Sequence, residues 1–388
     1  MNKKNVIIIF IYSFFNSFLL YRACDVLYYL SKGITNAEYV NYLTVGSIIT
    51  IIFLIPFGII KDKYNRKYIL LLSNFFLLLA TIIYIYADNA CFMGIGIIMS
   101  SISGLLSQGI VVVLLHSYIS NKKEYSKIYY KWSIFAYSGY LISMVLGGIV
   151  AKYSLVSMYY ISIIPIIISF IVLLFLDDSY EKKKDKNKTK YLIKESLRLL
   201  KNNTLLKVVL ILEMIICPIA EILAESHPEY LASIGASTTL IGIYTAGMCL
   251  FAIIGNKIAS ILKNQIPYFF IFLIFFSISL ILIGMLYNYY SIVFIILFQL
   301  FFSITYNIYN TIIQDNCNDP YRQTILAIIS FINSIFTIII CSLSSLMFKV
   351  IGLGNSYIVL GISCTIIIII ISLIYNIIRN LKNKNTIV

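Results

Sequence analysis

The stretch Gly58-Ile59-Ile60-Lys61-Asp62-Lys63-Tyr64-Asn65-Arg66-Lys67 separates two long apolar runs of the chain. It is short and rich in charge, and each neighbouring run is long enough to cross a bilayer as a helix. The pattern predicts a tight turn at a membrane surface between two spanning helices. Such a turn needs a residue that tolerates a left-handed backbone, and we expect Asn65 to supply it.

The composition of the whole chain agrees with a membrane protein. Of its 388 residues, 60% are hydrophobic and only 12% are charged, which is more apolar surface than a soluble fold of this size can bury. The apolar residues come in runs of about 20, the length of a spanning helix. We therefore expect an all-α polytopic membrane protein. Its first run, from Val6 to about Leu30, has no small-residue cleavage site and is expected to remain as a span.

The positions of the charges predict the topology. Nearly all of the 30 Lys and Arg residues fall at the N-terminus, in alternate loops, in the central linker or at the C-terminus; the exceptions are Arg22, Lys32, Lys152 and Lys349. The positive-inside rule then places both termini in the cytoplasm. The bias toward Ile, Asn, Lys and Tyr is typical of an AT-rich bacterial genome, so we expect a bacterial plasma membrane. The predicted spans are twelve: 6–30, 39–60, 67–87, 92–119, 128–151, 155–176, 205–229, 239–262, 267–287, 291–314, 323–348 and 356–379.

Other classes of protein find little support. The net charge of +14 follows the loops rather than forming a nucleic-acid patch. The two histidines, His116 and His227, are far apart, and no CxxC pair occurs, so no metal site, disulfide framework or cofactor is expected. There is no GxxxxGK[ST] loop for ATP, and no nucleophile–base pattern that suggests an enzyme. The seven cysteines are scattered: Cys24, Cys91, Cys217, Cys249, Cys317, Cys341 and Cys364.

A polar segment divides the chain into two halves. We expect an N-terminal six-helix bundle over residues 1–176, a cytoplasmic linker over 177–203 and a C-terminal six-helix bundle over 204–388. The linker begins as a charged run and continues as an amphipathic stretch over 191–200 that is expected to lie at the membrane surface. Its basic residues either bind anionic lipid or are simply solvated.

The charged turn resembles the signature loop between the second and third helices of the major facilitator superfamily. Gly58, Asp62, Arg66 and Lys67 fall in register with that motif, and Asn65 replaces its second glycine. Two six-helix bundles joined by a linker are also this family's layout. The resemblance implies a monomeric transporter of twelve transmembrane helices that moves a small-molecule substrate through the lipid bilayer by alternating access.

Two further motifs resemble the drug:proton antiporter branch of that superfamily. Span five carries Gly139, Ser143 and Gly147-Gly148, small residues spaced so that one helix face can approach a neighbour closely. Met144 replaces the proline of the exporter motif. Span four carries Gln108-Gly109, although Leu105 stands where the branch usually has an intramembrane arginine. We include Gln108 among the candidate substrate residues.

The resemblance also implies a conformational latch. In the family, the aspartate at the position of Asp62 caps the start of span eleven, and the arginine at the position of Arg66 pairs with an acidic residue near the inner end of span four. Glu124 is the candidate partner here. The alternative is that the loop's positive charge, Lys67 included, only keeps it inside.

Span one contains charged residues that need an explanation. Arg22 and Asp25 are three residues apart, on one face of a continuous helix, and Asn16 lies on a similar face. A charge in the membrane centre costs about 2.5–3.5 kcal/mol on insertion scales. Either this face lines a central cavity and binds substrate, or Arg22 snorkels outward and Asp25 neutralises it.

Span seven carries Glu213, Glu221 and Glu225, with Pro218 between them expected to kink the helix. Spans one and seven are symmetry-related in a two-bundle transporter, so Arg22 is expected to meet Glu221 or Glu225. A desolvated carboxyl group favours its neutral form and can therefore exchange protons. Glu225 is alternatively a surface residue at the outer mouth, a role that suits Glu229 even better.

Together with Asp25, these glutamates would give the cavity more negative than positive groups. Such an excess, in a chain with 32 Tyr and 25 Phe residues, suits a cationic or amphipathic substrate. The sequence thus favours proton-coupled export of such a compound. Uptake of a sugar or peptide by symport, and a non-transporting sensor or immunity protein on the same scaffold, stay open as alternatives.

Overall fold

A computed structural model of the chain describes residues 3–119, 122–177, 203–262, 265–316 and 322–385. All regular secondary structure in these ranges is helical, as expected. The helices are α1 (Lys3–Ser17), the short 3₁₀-helix η1 (Leu20–Ala23), α2 (Asp25–Ser31), α3 (Asn36–Lys63), α4 (Arg66–Tyr86), α5 (Ala90–Ser107), α6 (Ile110–Tyr118), α7 (Lys122–Ala151), α8 (Leu155–Leu174), α9 (Thr204–Ser233), α10 (Thr238–Ile261), α11 (Gln265–Leu286), α12 (Ser291–Asn316), α13 (Arg322–Ile351) and α14 (Leu353–Asn385).

Within the described ranges, 10 helical segments are long and apolar enough to cross a membrane. They match ten of the twelve predicted spans. The segments of the other two predicted spans, 6–30 and 205–229, are not among these ten. The first is broken into α1, η1 and α2, each shorter than a bilayer is thick. The other is α9, a continuous helix whose charged residues Lys207, Glu213, Glu221 and Glu225 dilute its apolar character.

The prediction of one continuous helix over residues 6–30 is wrong. Helix α1 ends at Ser17, and the backbone N–H of Leu20 donates to Oγ of Ser162 on α8, at 2.9 Å, instead of continuing the helical ladder. A break inside a membrane is tolerated where protein groups satisfy the freed backbone atoms. The Ser162 hydroxyl does this for Leu20, so the tertiary contact determines where the helix stops.

The predicted fourth span is likewise interrupted. Gln108 and Gly109 separate α5 from α6, and Gly109 adopts φ +78°, a left-handed conformation that glycine reaches without steric cost. The Gln108-Gly109 pair is therefore a bend between two helices.

The charged turn between α3 and α4 is shorter than expected. Helix α3 continues to Lys63 and α4 begins at Arg66, which leaves only Tyr64 and Asn65 outside a helix. The expected left-handed backbone at Asn65 is wrong, because its φ is −61°. Instead, its side-chain oxygen accepts a hydrogen bond from the N–H of Lys67 at 2.8 Å. Asn65 is thus the N-cap of α4, a role for which asparagine is among the best residues.

The chain folds into two compact units. The first contains Met1–Lys184 and Leu231–Ala246, and the second contains Asp185–Tyr230 and Gly247–Val388. The predicted linker falls almost entirely at residues 178–202, outside the described part, so its amphipathic stretch stays a prediction.

Glycines on α7 allow close packing inside the first unit. A Cβ atom on Gly139 would lie 2.5 Å from the carbonyl oxygen of Phe14, and one on Gly147 would overlap that of Leu20. A Cβ atom on Gly148 would instead meet the start of α10, a part of that helix that belongs to the same unit. The small residues thus serve two neighbours rather than the single face that the sequence suggested.

Tyrosines fix the broken first segment against the helices behind it. The rings of Tyr21 and Tyr159 are stacked, with centroids 4.7 Å apart, and Tyr28 packs on Tyr159 at the same distance. The Tyr28 hydroxyl donates to the carbonyl of Tyr84 at 2.8 Å. These four side chains are buried, so their hydroxyls require such partners. The cluster packs η1 and α2 against α4 and α8 despite the break.

A polar contact joins the start of α1 to Asp177, just beyond the end of α8. Lys4 Nζ lies 2.6 Å from Oδ2 of Asp177, and the Asn5 amide bonds to the backbone of Asp177. The hydrogen bond from Lys4 lowers the pKa of the Asp177 carboxyl below its ordinary value. The ion pair is therefore present at neutral pH and is lost only when the pH falls through that lowered pKa.

Candidate functional site

The second unit contains a buried carboxyl group on α9. The Glu213 side chain is only 3% exposed. Its Oε1 accepts a hydrogen bond from the thiol of Cys217, one turn along the helix, with a sulfur–oxygen distance of 3.2 Å. Its Oε2 has no hydrogen-bond partner in the described part of the chain. A buried carboxylate with a free oxygen is costly unless it takes up a proton or a cation.

Further acidic residues continue from Glu213 along the same helix. Glu213, Cys217, Glu221 and Glu225 follow one another at four-residue intervals, so each lies one turn beyond the last on a slowly winding stripe. Glu221 is exposed and Glu225 is half-buried. Pro218 lies within the helix, where its ring removes one backbone hydrogen bond. The stripe therefore leads from a buried carboxyl group to an accessible one.

An aromatic wall on α12 stands beside this stripe. Tyr306 is 43% exposed, Tyr309 is buried, and their ring centroids lie 6.0 Å apart. Both hydroxyls are close enough to Glu213 to interact with its charge, and that of Tyr306 also interacts with Glu221. Phe302 packs on Tyr306 at 5.7 Å. Carboxylates beside aromatic rings form a suitable environment for an organic cation or a proton.

The first unit holds the other predicted site residues of span one. Arg22 lies in η1 and is exposed, whereas half-buried Asp25 begins α2. Because the helix is broken, they do not share one helix face as predicted. Both are nevertheless near the hydroxyl of Tyr21, which interacts with each of them. The half-buried Asn16 is in the last turn of α1.

The Oδ1 atom of Asp25 accepts a hydrogen bond from the N–H of Val26 at 2.8 Å, at the N-terminus of α2. An anion is stabilised at this end of a helix. The predicted meeting of Arg22 with Glu221 or Glu225 joins residues of different units and stays a prediction.

Lysines of the charged turn contact the ends of neighbouring helices. Lys61 Nζ donates to the carbonyl of Gln108 at 3.0 Å, at the end of α5. Lys67 Nζ donates to the carbonyl of Leu174 at 2.6 Å, at the end of α8. Cations are favoured at helix C-termini, where carbonyls lack helical partners. The contact places the exposed Gln108 beside the charged turn, a link that the sequence alone did not suggest.

The predicted latch is only partly described. Gly58 lies inside α3, Asp62 in its last turn, and the half-buried Arg66 begins α4. Glu124 is in the first turn of α7. The side chains of Asp62 and Glu124 are outside the described part, as are residues 317–321 before α13, so the latch stays a prediction. In the described ranges, no three His, Cys, Asp or Glu side chains gather as a metal site.

Comparison of the sequence with known proteins gives one family and two partial relatives. Residues 6–340 match the family model described as Major Facilitator Superfamily. An uncharacterized transporter of Buchnera aphidicola subsp. Schizaphis graminum is 29% identical over 153 residues, which is 39% of this chain and 38% of that protein. One from Buchnera aphidicola subsp. Acyrthosiphon pisum is 32% identical over 154 residues, 39% of each chain. The chain spans about two fifths of the length of these curated relatives.

Solved structures resemble the whole chain. A POT family transporter in complex with 5-aminolevulinic acid has a TM-score of 0.77 at 13% identity, covering 96% of both chains. A D-xylose-proton symporter has a TM-score of 0.75 at 12% identity, covering 95% of this chain and 96% of that one. A bacterial homolog of the human lysosomal transporter Spinster, inward-facing and unoccupied, has a TM-score of 0.71 at 13% identity, covering 96% and 95%. At these identities the likeness concerns the fold alone.

Proposed function

Because the chain belongs to the major facilitator superfamily, we propose that it is a secondary transporter that exports a small amphipathic or cationic compound in exchange for protons. The observation that carries this proposal is the buried Glu213 with its unpartnered Oε2. Desolvation favours the neutral carboxyl, and contact with water favours its ionised form. A cycle that alternately closes and opens the site to water therefore loads and releases a proton at Glu213.

The surroundings of Glu213 support a cationic substrate. Glu221 and Tyr306 are both exposed, and they offer a carboxylate and an aromatic face within the same unit. An organic cation gains energy from both groups. A proton and a cation compete for the same carboxylates, because each is stabilised by negative charge. That competition couples the two movements in opposite directions, as an antiporter requires.

The remaining predicted site residues complete the proposal. We propose that Arg22, Asp25, Asn16 and Gln108 of the first unit also bind the substrate during the cycle, with the Tyr21 cluster holding η1 and α2 in place. In the second unit, Glu213 and Glu221 hold the proton and the positive group.

We further propose the full topology of the family. The α1–η1–α2 segment and α9 supply the two spans beyond the ten apolar ones, which gives twelve spans in two bundles, 1–176 and 204–388. Both termini then lie in the cytoplasm of a bacterial plasma membrane. The membrane potential supplies about 2.3 kcal/mol per charge for each 100 mV, before any pH gradient is added.

The direct test is substrate-dependent proton movement in proteoliposomes of the purified protein, measured with a panel of lipophilic cations. We expect at least one cation to drive protons across the membrane in the opposite direction. Accumulation of that cation in inverted vesicles would agree with export. Cations that bind without moving protons would instead favour a sensor or immunity protein on this scaffold.

Nutrient uptake by symport is the second candidate function. The solved structures that resemble the chain include a D-xylose-proton symporter, but the likeness to it concerns the fold alone. Proton movement in the same direction as a sugar or peptide, with no response to cations, would replace export with uptake. The acidic and aromatic surroundings of Glu213 favour export of a cation over uptake of a neutral sugar.

The latch gives a separate prediction. We expect Asp62→Asn to leave the protein folded and inserted, but to slow transport about tenfold, since a charge-assisted hydrogen bond of roughly 1.5–3 kcal/mol would be lost in one of the two states. The measurement is the initial transport rate beside Lys63→Asn, which changes the neighbouring charge. A wild-type rate in Asp62→Asn, with a loss in Lys63→Asn, would show that the loop contributes only its positive charge.

A further inference from the structure

Cys217 occupies the position between the buried and the exposed carboxyl groups of α9. It follows Glu213 by one helical turn and precedes Glu221 by one turn. Its side chain is half-buried, and its thiol donates to Oε1 of Glu213 at 3.2 Å. Cys217 is therefore the residue that is hydrogen-bonded to the buried carboxyl group.

The thiol makes the two oxygens of Glu213 unequal. Oε1 has a donor, whereas Oε2 is buried without one. A buried acceptor without a partner gains most from a new bond. A proton that reaches the ionised carboxylate therefore bonds to Oε2, and the Cys217 thiol keeps the carboxyl plane in the orientation that presents this atom.

We propose that Cys217 is a positioning residue for the proton site: its thiol holds Oε1 of Glu213, so that Oε2 is the atom that binds and releases the proton. This inference rests on the proposed function, in which Glu213 changes protonation during each cycle. In the step itself, a hydronium ion gives its proton to Oε2 and leaves as water. The S–H bond of Cys217 stays intact throughout.

Within the described part of the chain, other titratable groups approach this pair from α9, α12 and α13. Tyr306 and Tyr309 approach Glu213 from α12, and Glu221 lies beyond Cys217 on α9. Cys341 of α13 is close to Glu221. Both tyrosines and Glu221 remain unchanged in the variants below. A change in the titration of Glu213 on replacing Cys217 is therefore assigned to the lost thiol.

The test is an infrared titration of the protein in liposomes, without any substrate. The C=O band of protonated Glu213 is identified by its absence in Glu213→Gln. In Cys217→Ala the ionised carboxylate loses its donor, so we expect the band's midpoint to move about one unit to higher pH. Cys217→Ser keeps a donor and should titrate at or below the wild-type midpoint. Cys249→Ala, at another half-buried cysteine of the second unit, is the matched control and should not move it.

Each other outcome overturns the inference. A Cys217→Ala midpoint equal to that of Cys249→Ala would show that the thiol has no influence on the carboxyl group. A Glu213 band that does not titrate would show that no proton is exchanged there. Should Cys217→Ala fail to fold, the wild-type S–H stretching band decides the matter. This band should move to lower frequency as Glu213 ionises. A band that stays fixed would show that the thiol does not donate a hydrogen bond to Glu213.

The proposed function fails separately. If Glu213→Gln transports cations with unchanged proton movement, Glu213 is not the coupling group, whatever the titration of the thiol variants shows. If Glu213→Gln abolishes proton movement while Cys217→Ala titrates like the wild type, the function stands and only the role of Cys217 is wrong.

Discussion

Gly147→Val should strongly destabilise the packing of the first unit. A Cβ atom at this position would overlap the carbonyl oxygen of Leu20 and would lie 3.0 Å from the Cβ atom of Ala23. The first of these is a backbone atom, so no change of rotamer can relieve the overlap. Overpacked sites cost about 1–3 kcal/mol and occasionally more, and we expect the upper end here because η1 is already held by the tyrosine cluster.

The single tryptophan of the chain supplies the measurement. Trp132 lies on α7 and donates from Nε1 to Oγ of Ser13 on α1, at 2.7 Å. Its fluorescence therefore reports on the contact between these two helices during thermal unfolding. In Gly147→Val we expect a lower melting temperature, a smaller yield of folded protein and a changed emission maximum in the protein that remains.

A matched control separates packing from the general effect of valine in a helix. Gly104 is a helical glycine of the same unit, and a Cβ atom added there meets nothing within 4 Å. Gly104→Val should therefore unfold close to the wild-type temperature. Equal losses in the two variants would contradict the close approach of α7 to the broken segment.

Glu213→Gln should abolish coupled transport while making the protein more stable at alkaline pH. The amide has nearly the size of the carboxyl group but cannot bind or release a proton, so we expect the rate of proton-coupled transport to fall at least about tenfold. At alkaline pH the wild-type protein must bury a charged carboxylate with one oxygen unpartnered. Removing that charge should stabilise the folded state by roughly 1–3 kcal/mol.

The two readouts together distinguish function from structure. Transport is measured in proteoliposomes, and stability is measured by thermal unfolding in detergent at neutral and alkaline pH. Glu221→Gln is the control for stability. The Glu221 side chain is exposed, so removing its charge should change the melting temperature less than the same change at the buried Glu213. A Glu213→Gln variant that is less stable than the wild type at both pH values would indicate that the carboxylate has a structural partner instead.

The sequence predicted most of the framework, for a simple physical reason. In lipid, the protein itself must satisfy its backbone polar groups, which a helix does internally, and the bilayer thickness sets the helix length. Apolar runs of about 20 residues therefore locate helices by themselves, and ten of them appear as spans. The signature loop and the acidic residues of α9 were also recognisable, because both depend on residue types at fixed spacings along one element.

Only the tertiary structure decided where the helices break and which charges are buried. The stop after Ser17 depends on the Ser162 hydroxyl of a distant helix, and the bend at Gly109 accompanies a lysine contact from the charged turn. Local sequence likewise did not reveal that Asn65 caps α4 rather than adopting a left-handed backbone.

The same holds for the candidate site. Helix periodicity places Cys217 one turn from both Glu213 and Glu221, and so brings the three residues together from the sequence alone. Periodicity does not tell which carboxyl group is buried, because burial depends on the neighbours that pack around the helix. Glu213 is enclosed and Glu221 is exposed, although both belong to one stripe of α9. The difference in exposure between these two glutamates is thus set by the packing of other helices, whereas the sequence sets only their order along α9.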